Sequence, residues 1–245
     1  MRRPLFWLLL FAPLAFAQNA LPDKETLVYN IEWRLITAGR ATIHWNPSSG
    51  EGTPGGEIKL QVESVGLVSK LYKVDVDYRS VVGRALCAES AVMTGREGNR
   101  HRETSVTIDS AARKARYQER DLNRNTLLTS QETDVPECVH DVVSGFYYLR
   151  TMNLEPGQSA EIPVTDGKKS VMVKVEAQQR EDLKLPDGVH KTIRYEVHLF
   201  NNVLYRRPAR LFVWLTDDRR KLPVQIRVRM QITIGTINLQ LAQHE

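Results

Sequence analysis

The sequence predicts an all-β fold: an antiparallel, strongly curved sheet or β-barrel of roughly twelve strands with one amphipathic helix packed on it. Three observations point there. Apolar residues recur at every second position through most of the chain, the period of a strand with one buried face. Turn-forming dipeptides such as Asp166-Gly167 and Asp187-Gly188 interrupt that rhythm at short intervals. A single segment, residues 136–150, repeats its apolar residues at helical spacing instead.

Leu27, Tyr29, Ile31, Trp33 and Leu35 alternate with Asn30, Glu32 and Arg34. Ala38-Gly39 then reads as a turn, and Ala41, Ile43 and Trp45 resume the pattern, so a hairpin is expected. Residues 46–56 are a solvated loop by composition. Ile58, Leu60 and Val62 begin a strand, and residues 71–78 form another. Shorter strands are expected at 91–94, 104–108 and 114–118, with a charged loop at 95–102.

In residues 136–150, Val139, Val142, Val143, Phe146, Tyr147 and Leu149 lie three or four apart. Asp134 and Glu137 resemble a capping box, and Pro136 suits a first helical turn. Cys138 falls in that first turn. Beyond it, Val171, Val173 and Val175 mark one strand, and Ile193, Tyr195, Val197 and Leu199 the next. Residues 210–216 are nearly continuously apolar, which predicts burial on both faces. Val224 to Ile234 alternate again, Gly235 ends the run, and Ile237, Leu239 and Leu241 make a last strand. A sheet beyond about ten strands curls or closes, and closure removes edges that invite aggregation. A two-sheet sandwich is the alternative. No linker or repeat divides residues 18–245, which read as a single domain.

Residues 1–17 have the parts of a secretory signal peptide. Arg2 and Arg3 precede a short apolar stretch, and Ala15-Phe16-Ala17 is an A-x-A cleavage site. The stretch is shorter than the roughly 20 residues of a membrane span, and no later stretch is long enough, so the mature protein is expected to be soluble and not membrane-spanning. The formal charge of +5 falls on cleavage, because two arginines leave. That charge suits ordinary solubility or contact with anionic surfaces. Nucleic acid is not an expected partner, since no recognition motif appears. Periplasmic localisation is expected, with secretion as the other destination. The two cysteines, Cys87 and Cys138, read as a disulfide in an oxidising compartment. Closing a loop of about 50 residues is worth on the order of 4 kcal/mol in the chain-entropy model. Two free thiols or a redox pair are the alternatives.

A resemblance emerges from particular stretches. They are Leu27-Val28-Tyr29-Asn30-Ile31-Glu32-Trp33 with Ala38-Gly39-Arg40-Ala41, then Lys73 to Tyr78, and the helix His140-Asp141-Val142-Val143-Ser144-Gly145-Phe146-Tyr147-Tyr148-Leu149-Arg150. Asp166-Gly167-Lys168, Trp214-Leu215-Thr216-Asp217-Asp218 and Leu222-Pro223-Val224 continue it. The chain resembles the exported bacterial proteins grouped as domain of unknown function 3108, over nearly its whole length after the signal. The resemblance implies a curved or barrel-like β fold in the bacterial envelope, and no activity. His140 stands where that family commonly has Gln.

Catalytic signatures are absent: there is no G-x-S-x-G, H-E-x-x-H, P-loop or dinucleotide motif. The six histidines are scattered, His190 and His198 lie about 27 Å apart on one strand, and no metal or other cofactor is expected. His140 and Ser144 are one helical turn apart. A mid-helix Ser more often bonds back to its own carbonyls, so a hydrolase is the least favoured reading. The leading expectation is a non-enzymatic envelope protein. It holds a lipid or other amphiphile in a cleft between helix and sheet, lined by Phe146, Tyr147, Tyr148, Trp33 and Trp214. One of Tyr147 and Tyr148 is expected at the cleft rim or exposed. The alternative is a scaffold engaging an envelope protein by an exposed edge or by the basic stretch Arg113, Lys114, Arg116, Arg120 and Arg124, which is otherwise a solvated face.

Overall fold

The structure, a computed structural model, describes residues 21–34, 36–48, 55–231 and 235–245. The expected signal peptide, Leu35, and the stretch Ile232 to Ile234 lie outside them. The first eight strands are β1 (Glu25–Trp33), β2 (Ile36–Pro47), β3 (Gly56–Ser64), β4 (Val74–Val82), β5 (Ala88–Glu97), β6 (Arg100–Asp109), β7 (Lys114–Asp121) and β8 (Thr126–Asp134). Six more follow: β9 (Ser159–Thr165), β10 (Ser170–Leu185), β11 (Gly188–Val197), β12 (Ala209–Thr216), β13 (Pro223–Met230) and β14 (Thr236–His244). Helix α1 (Gly66–Leu71) and a 3-10 turn at Arg84–Leu86 flank β4, and α2 (Val142–Thr151) stands between β8 and β9.

All the strands join one antiparallel sheet, ordered β8-β7-β6-β5-β4-β3-β2-β1-β14-β13-β12-β11-β10-β9. Each pairs with its neighbour in sequence, except that β1 also pairs with β14. The chain therefore meanders outward from its ends, and the free edges are β8 and β9, which are consecutive in sequence. The sheet curls but is not closed into a barrel by backbone pairing. The β8–β9 connection fills the opening. His140 makes a parallel bridge with Val164, through His140 N–H to the Pro163 carbonyl (2.9 Å) and Thr165 N–H to the His140 carbonyl (2.8 Å). That bridge occupies the β9 edge that β8 would need. On the far side, Gln131 of β8 donates to the Lys168 carbonyl in the β9–β10 turn.

Several expectations need correction. The described residues hold fourteen strands where roughly twelve were expected, because β8 is polar and carries Leu127 and Leu128 side by side, and because β9 is short. The expected loop 95–102 is almost all strand, turned tightly at Gly98 with φ +58°. Residues 71–78 hold the end of α1 and only then β4. Ala38-Gly39 is no turn; the hairpin turns at Arg34, with φ +50°. Gly39 instead allows β3 to approach, since a Cβ there would lie 2.5 Å from the Glu63 carbonyl oxygen. Residues 212–216 of β12 are all buried, as its unbroken apolar run predicts.

Helix α2 starts at Val142, not Pro136. Residues 135–140 are non-helical, bent at Glu137 and Cys138, and held by other bonds: Val135 N–H to the Arg113 carbonyl, Ala88 N–H to the Val139 carbonyl, and the His140 bridge. The Cys87–Cys138 disulfide, with Cα atoms 5.1 Å apart, closes that region. Cys138 therefore precedes the helix. Asp134 and Glu137 form no cap; Asp134 ends β8 and pairs with Lys114. The cap is Asp141, which accepts from Val143 N–H (2.8 Å) and Ser144 N–H (3.0 Å). None of the α2 residues is exposed. Val142, Val143, Phe146, Tyr148 and Thr151 are half-buried and the rest of the helix is buried, so it packs on the sheet with its more apolar side inward.

Candidate functional site

Helix α2 divides the interior. Toward β9–β12 it packs Leu149 and half-buried Val142 and Phe146 against Ile162, Val164, Val173, Val175 and Val213. A pocket of about 70 Å³ remains there, with apolar walls. Toward β4–β6 the fit is looser, and a cavity of about 150 Å³ lies between the first turn of α2 and the sheet. Its walls include Ala88, Ala91, Met93, Val106, Ile108 and Val143, with Tyr78, Asp141 and Asp166 among the polar groups. Val142 borders both spaces. The looseness has a local cause: β5 presents the small side chains of Ala88 and Ala91 to the interior, opposite the helix.

Asp141 is the buried polar centre of this wall. Besides capping α2, it accepts the Ser80 hydroxyl at 2.5 Å. Tyr78 stands beside it, and burial, reinforced by the Asp141 charge, pushes the phenol far above its ordinary range. At the other end of α2, Arg150 is 1% exposed and makes a two-pronged bond to Glu25, at 2.6 and 2.8 Å. Its Nε donates to the Lys221 carbonyl (3.1 Å), and its guanidinium lies 5.0 Å from the Tyr147 ring centre. The Tyr147 hydroxyl also donates to Glu25 (3.3 Å). Burial raises the Tyr147 phenol well above its ordinary value, against the opposing charge of Arg150. This ties the helix end to β1 and to the β12–β13 turn. One sequence signal was available: Arg150 is three residues from the inward-facing Tyr147, hence on its side of the helix, and a buried guanidinium requires an acid.

The expected cleft residues do not converge. Phe146 lines the smaller pocket. Tyr147 is fully buried in the Arg150–Glu25 cluster. Tyr148 is half-buried and stacked on His140 at 4.4 Å, so neither tyrosine is exposed. Trp33 lies at the end of β1 with the Arg34 guanidinium 5.3 Å from its ring centre. Trp214 points to the opposite face of β12 from Val213, and its indole N–H donates to Glu181 (2.6 Å). Sequence periodicity marked these aromatics as buried. It had no means of assigning which face of which strand meets the helix.

His140 and Ser144 do not bond each other. His140 Nδ1 is 2.8 Å from the Leu86 carbonyl, which makes that nitrogen the donor, and burial holds the ring below its usual pKa. Ser144 donates back to the Asp141 carbonyl at 3.3 Å. The basic stretch on β7 is interleaved with acids from β8. Lys114 pairs with Asp134 (2.9 Å) and Glu132 (3.6 Å), and Arg116 with Glu132 (3.3 Å). Arg120 reaches Asn125, while Arg113 and Arg124 sit in the turns at either end. His198 lies beside Glu176 and Glu196, close enough to share an ion. Glu196, however, is held by Arg210 through two 2.7 Å bonds, and Glu176 by Lys174.

The family model for proteins of unknown function DUF3108 matches residues 28–242. No curated protein matches the chain significantly. Among solved structures, a β-barrel-like protein of domain of unknown function DUF1849 from Brucella abortus aligns over 92% of this chain and 98% of its own. The TM-score is 0.54 at 8% identity, so the likeness is one of fold. A protein with a YmcC-like fold from Bacteroides fragilis aligns over 92% of this chain and 97% of its own, at 7% identity. Its TM-score of 0.32 is too low to indicate a common fold.

Proposed function

This chain belongs to the DUF3108 family, and from its own geometry we propose a non-enzymatic exported binding protein that holds an acyl chain or other amphiphile beside α2. One observation carries the reading: the cavity of about 150 Å³ between α2 and β4–β6, walled mainly by Ala, Val, Ile and Met. Apolar clefts with a few convergent polar groups are the usual place for a small ligand. The smaller pocket across Val142 gives a second apolar wall beside the same helix. Export is supported by the Cys87–Cys138 disulfide, a bond that persists in oxidising compartments. Among the described residues, no helix is long and apolar enough to cross a membrane.

Native mass spectrometry of the protein purified from its own periplasm tests this. A retained lipid-sized adduct is expected, and it should be lost in Ala91→Phe, which fills the cavity from β5. No adduct in the wild type, together with no displaceable binding of a fluorescent fatty acid, overturns the reading. The scaffold alternative has one observation in its favour, the β8 edge with Leu127 and Leu128 each at least 44% exposed. The same spectrum separates the two, because a scaffold retains a protein and not a lipid.

A further inference from the structure

The face of β12 and β13 turned away from α2 carries an unbalanced row of arginines. Phe212 and Trp214 of β12 are each 4% exposed there, and both lie under guanidinium groups. Those of Arg210, Arg229 and Arg194 lie 4.9, 5.4 and 5.7 Å from the Phe212 ring centre, and that of Arg227 lies 5.0 Å from Trp214. Two of the four have acids: Arg210 holds Glu196, and Arg194 reaches Glu181 at 3.6 Å.

Arg227 and Arg229 do not. Arg227 donates to the Asn238 amide oxygen (3.3 Å), and Arg229 has no carboxylate within ion-pair distance among the described residues. Arg229 also stands directly across the ladder from Arg210, and like charges at paired positions destabilise a sheet. Burial and the neighbouring Arg229 both lower the proton affinity of Arg227. Two residues before it, Gln225 is buried with its side-chain nitrogen unpartnered, so this column has a surplus of donors. On the next strand Asn238, Gln240 and Thr236 face it with neutral groups. The acids at this face are Glu181, which sits beside Trp214 and whose charge acts on Arg227, and Glu32 of β1, opposite Asn238.

We propose that Arg227 and Arg229, beside the Arg210–Glu196 pair, form an oxyanion site for a phosphate group. Guanidiniums suit this because their forked donors match phosphate oxygens in pairs, and residues two apart on a strand are about 7 Å apart, a span one phosphate with its substituents bridges. The two guanidiniums already lie over the Trp214 and Phe212 rings, which reduces the side-chain freedom to be lost on binding. The site is on the other face of the sheet from the lipid cavity and does not depend on it.

The test is calorimetric titration of the full mature protein with inorganic phosphate at fixed ionic strength. It is paired with sedimentation on phosphatidylglycerol–phosphatidylcholine vesicles against phosphatidylcholine alone. Saturable phosphate binding identifies a free ligand, and binding only to the anionic vesicles identifies a lipid headgroup; either supports the site. Arg229→Gln should weaken it about tenfold, the worth of one charged hydrogen bond. Arg229→Glu places an acid opposite Arg210, and should raise Tm in chloride buffer and abolish the response to phosphate. Absence of both kinds of binding overturns the proposal, as does binding unaltered in Arg229→Gln or a lower Tm in Arg229→Glu.

Discussion

The two flanks of α2 are built differently. On the β9–β13 side, successive residues of β12 are buried on both faces, and the helix meets valines and isoleucines at close range. On the β4–β8 side the sheet is wetter: β6 and β8 have no buried residue, and β4, β5 and β7 have two each. The cavity lies on this second flank, beside the small residues of β5. One flank anchors the helix and the other leaves it room, which is how a curled sheet keeps a rigid wall and an open space around one element. The β8 half compensates with cross-strand ion pairs, which contribute little each in water, and with the disulfide at its junction with α2.

This contrast can be broken or sharpened by substitution. The largest effect is expected at the tie between helix and sheet. Arg150→Ala leaves Glu25 buried without its partner and should cost about 3–5 kcal/mol, read as a lower midpoint in urea. A loss below about 1 kcal/mol would mean that the Glu25 cluster does not hold α2. Next, Leu215→Ala on the packed flank should cost about 2–5 kcal/mol, while Leu127→Ala on the β8 edge should stay within about 0.5 kcal/mol. Equal losses would erase the distinction between the flanks.

The smallest effect concerns pH at the seam. Burial lowers the His140 pKa in the folded protein, so below the ordinary value of 6.5 the unfolded chain binds a proton that the folded one does not. Stability should therefore fall as pH drops through 6.5 toward the folded-state value. His140→Gln should flatten that slope in melts between pH 7.5 and pH 5. An unchanged slope would show that His140 is not its source.

Most strands were legible because alternation is local: Leu27, Tyr29, Ala41 and Ile43 declare a buried face whatever they pair with. The misses follow from competition. The sequence reads residues 136–140 into the helix, yet the disulfide and the bridge to β9 hold them in a bent, non-helical path. β8 escaped notice because an edge strand wet on both faces has no alternation to show. Within the candidate site, burial of Tyr147 was readable, whereas the roles of Asp141 and Ser80 and the position and lining of the cavity were not.

What the residue order determined alone is the β class, the helix that packs on the sheet, and the apolar face of most strands, since these depend on neighbours within a few positions. Tertiary structure decided that β8 and β9 stay apart, that Arg150 finds Glu25 across 125 positions, and that space remains beside Ala91. Faces are set by the period of the backbone. Partners and voids are set by how distant side chains share volume, and no short stretch of sequence contains that sum.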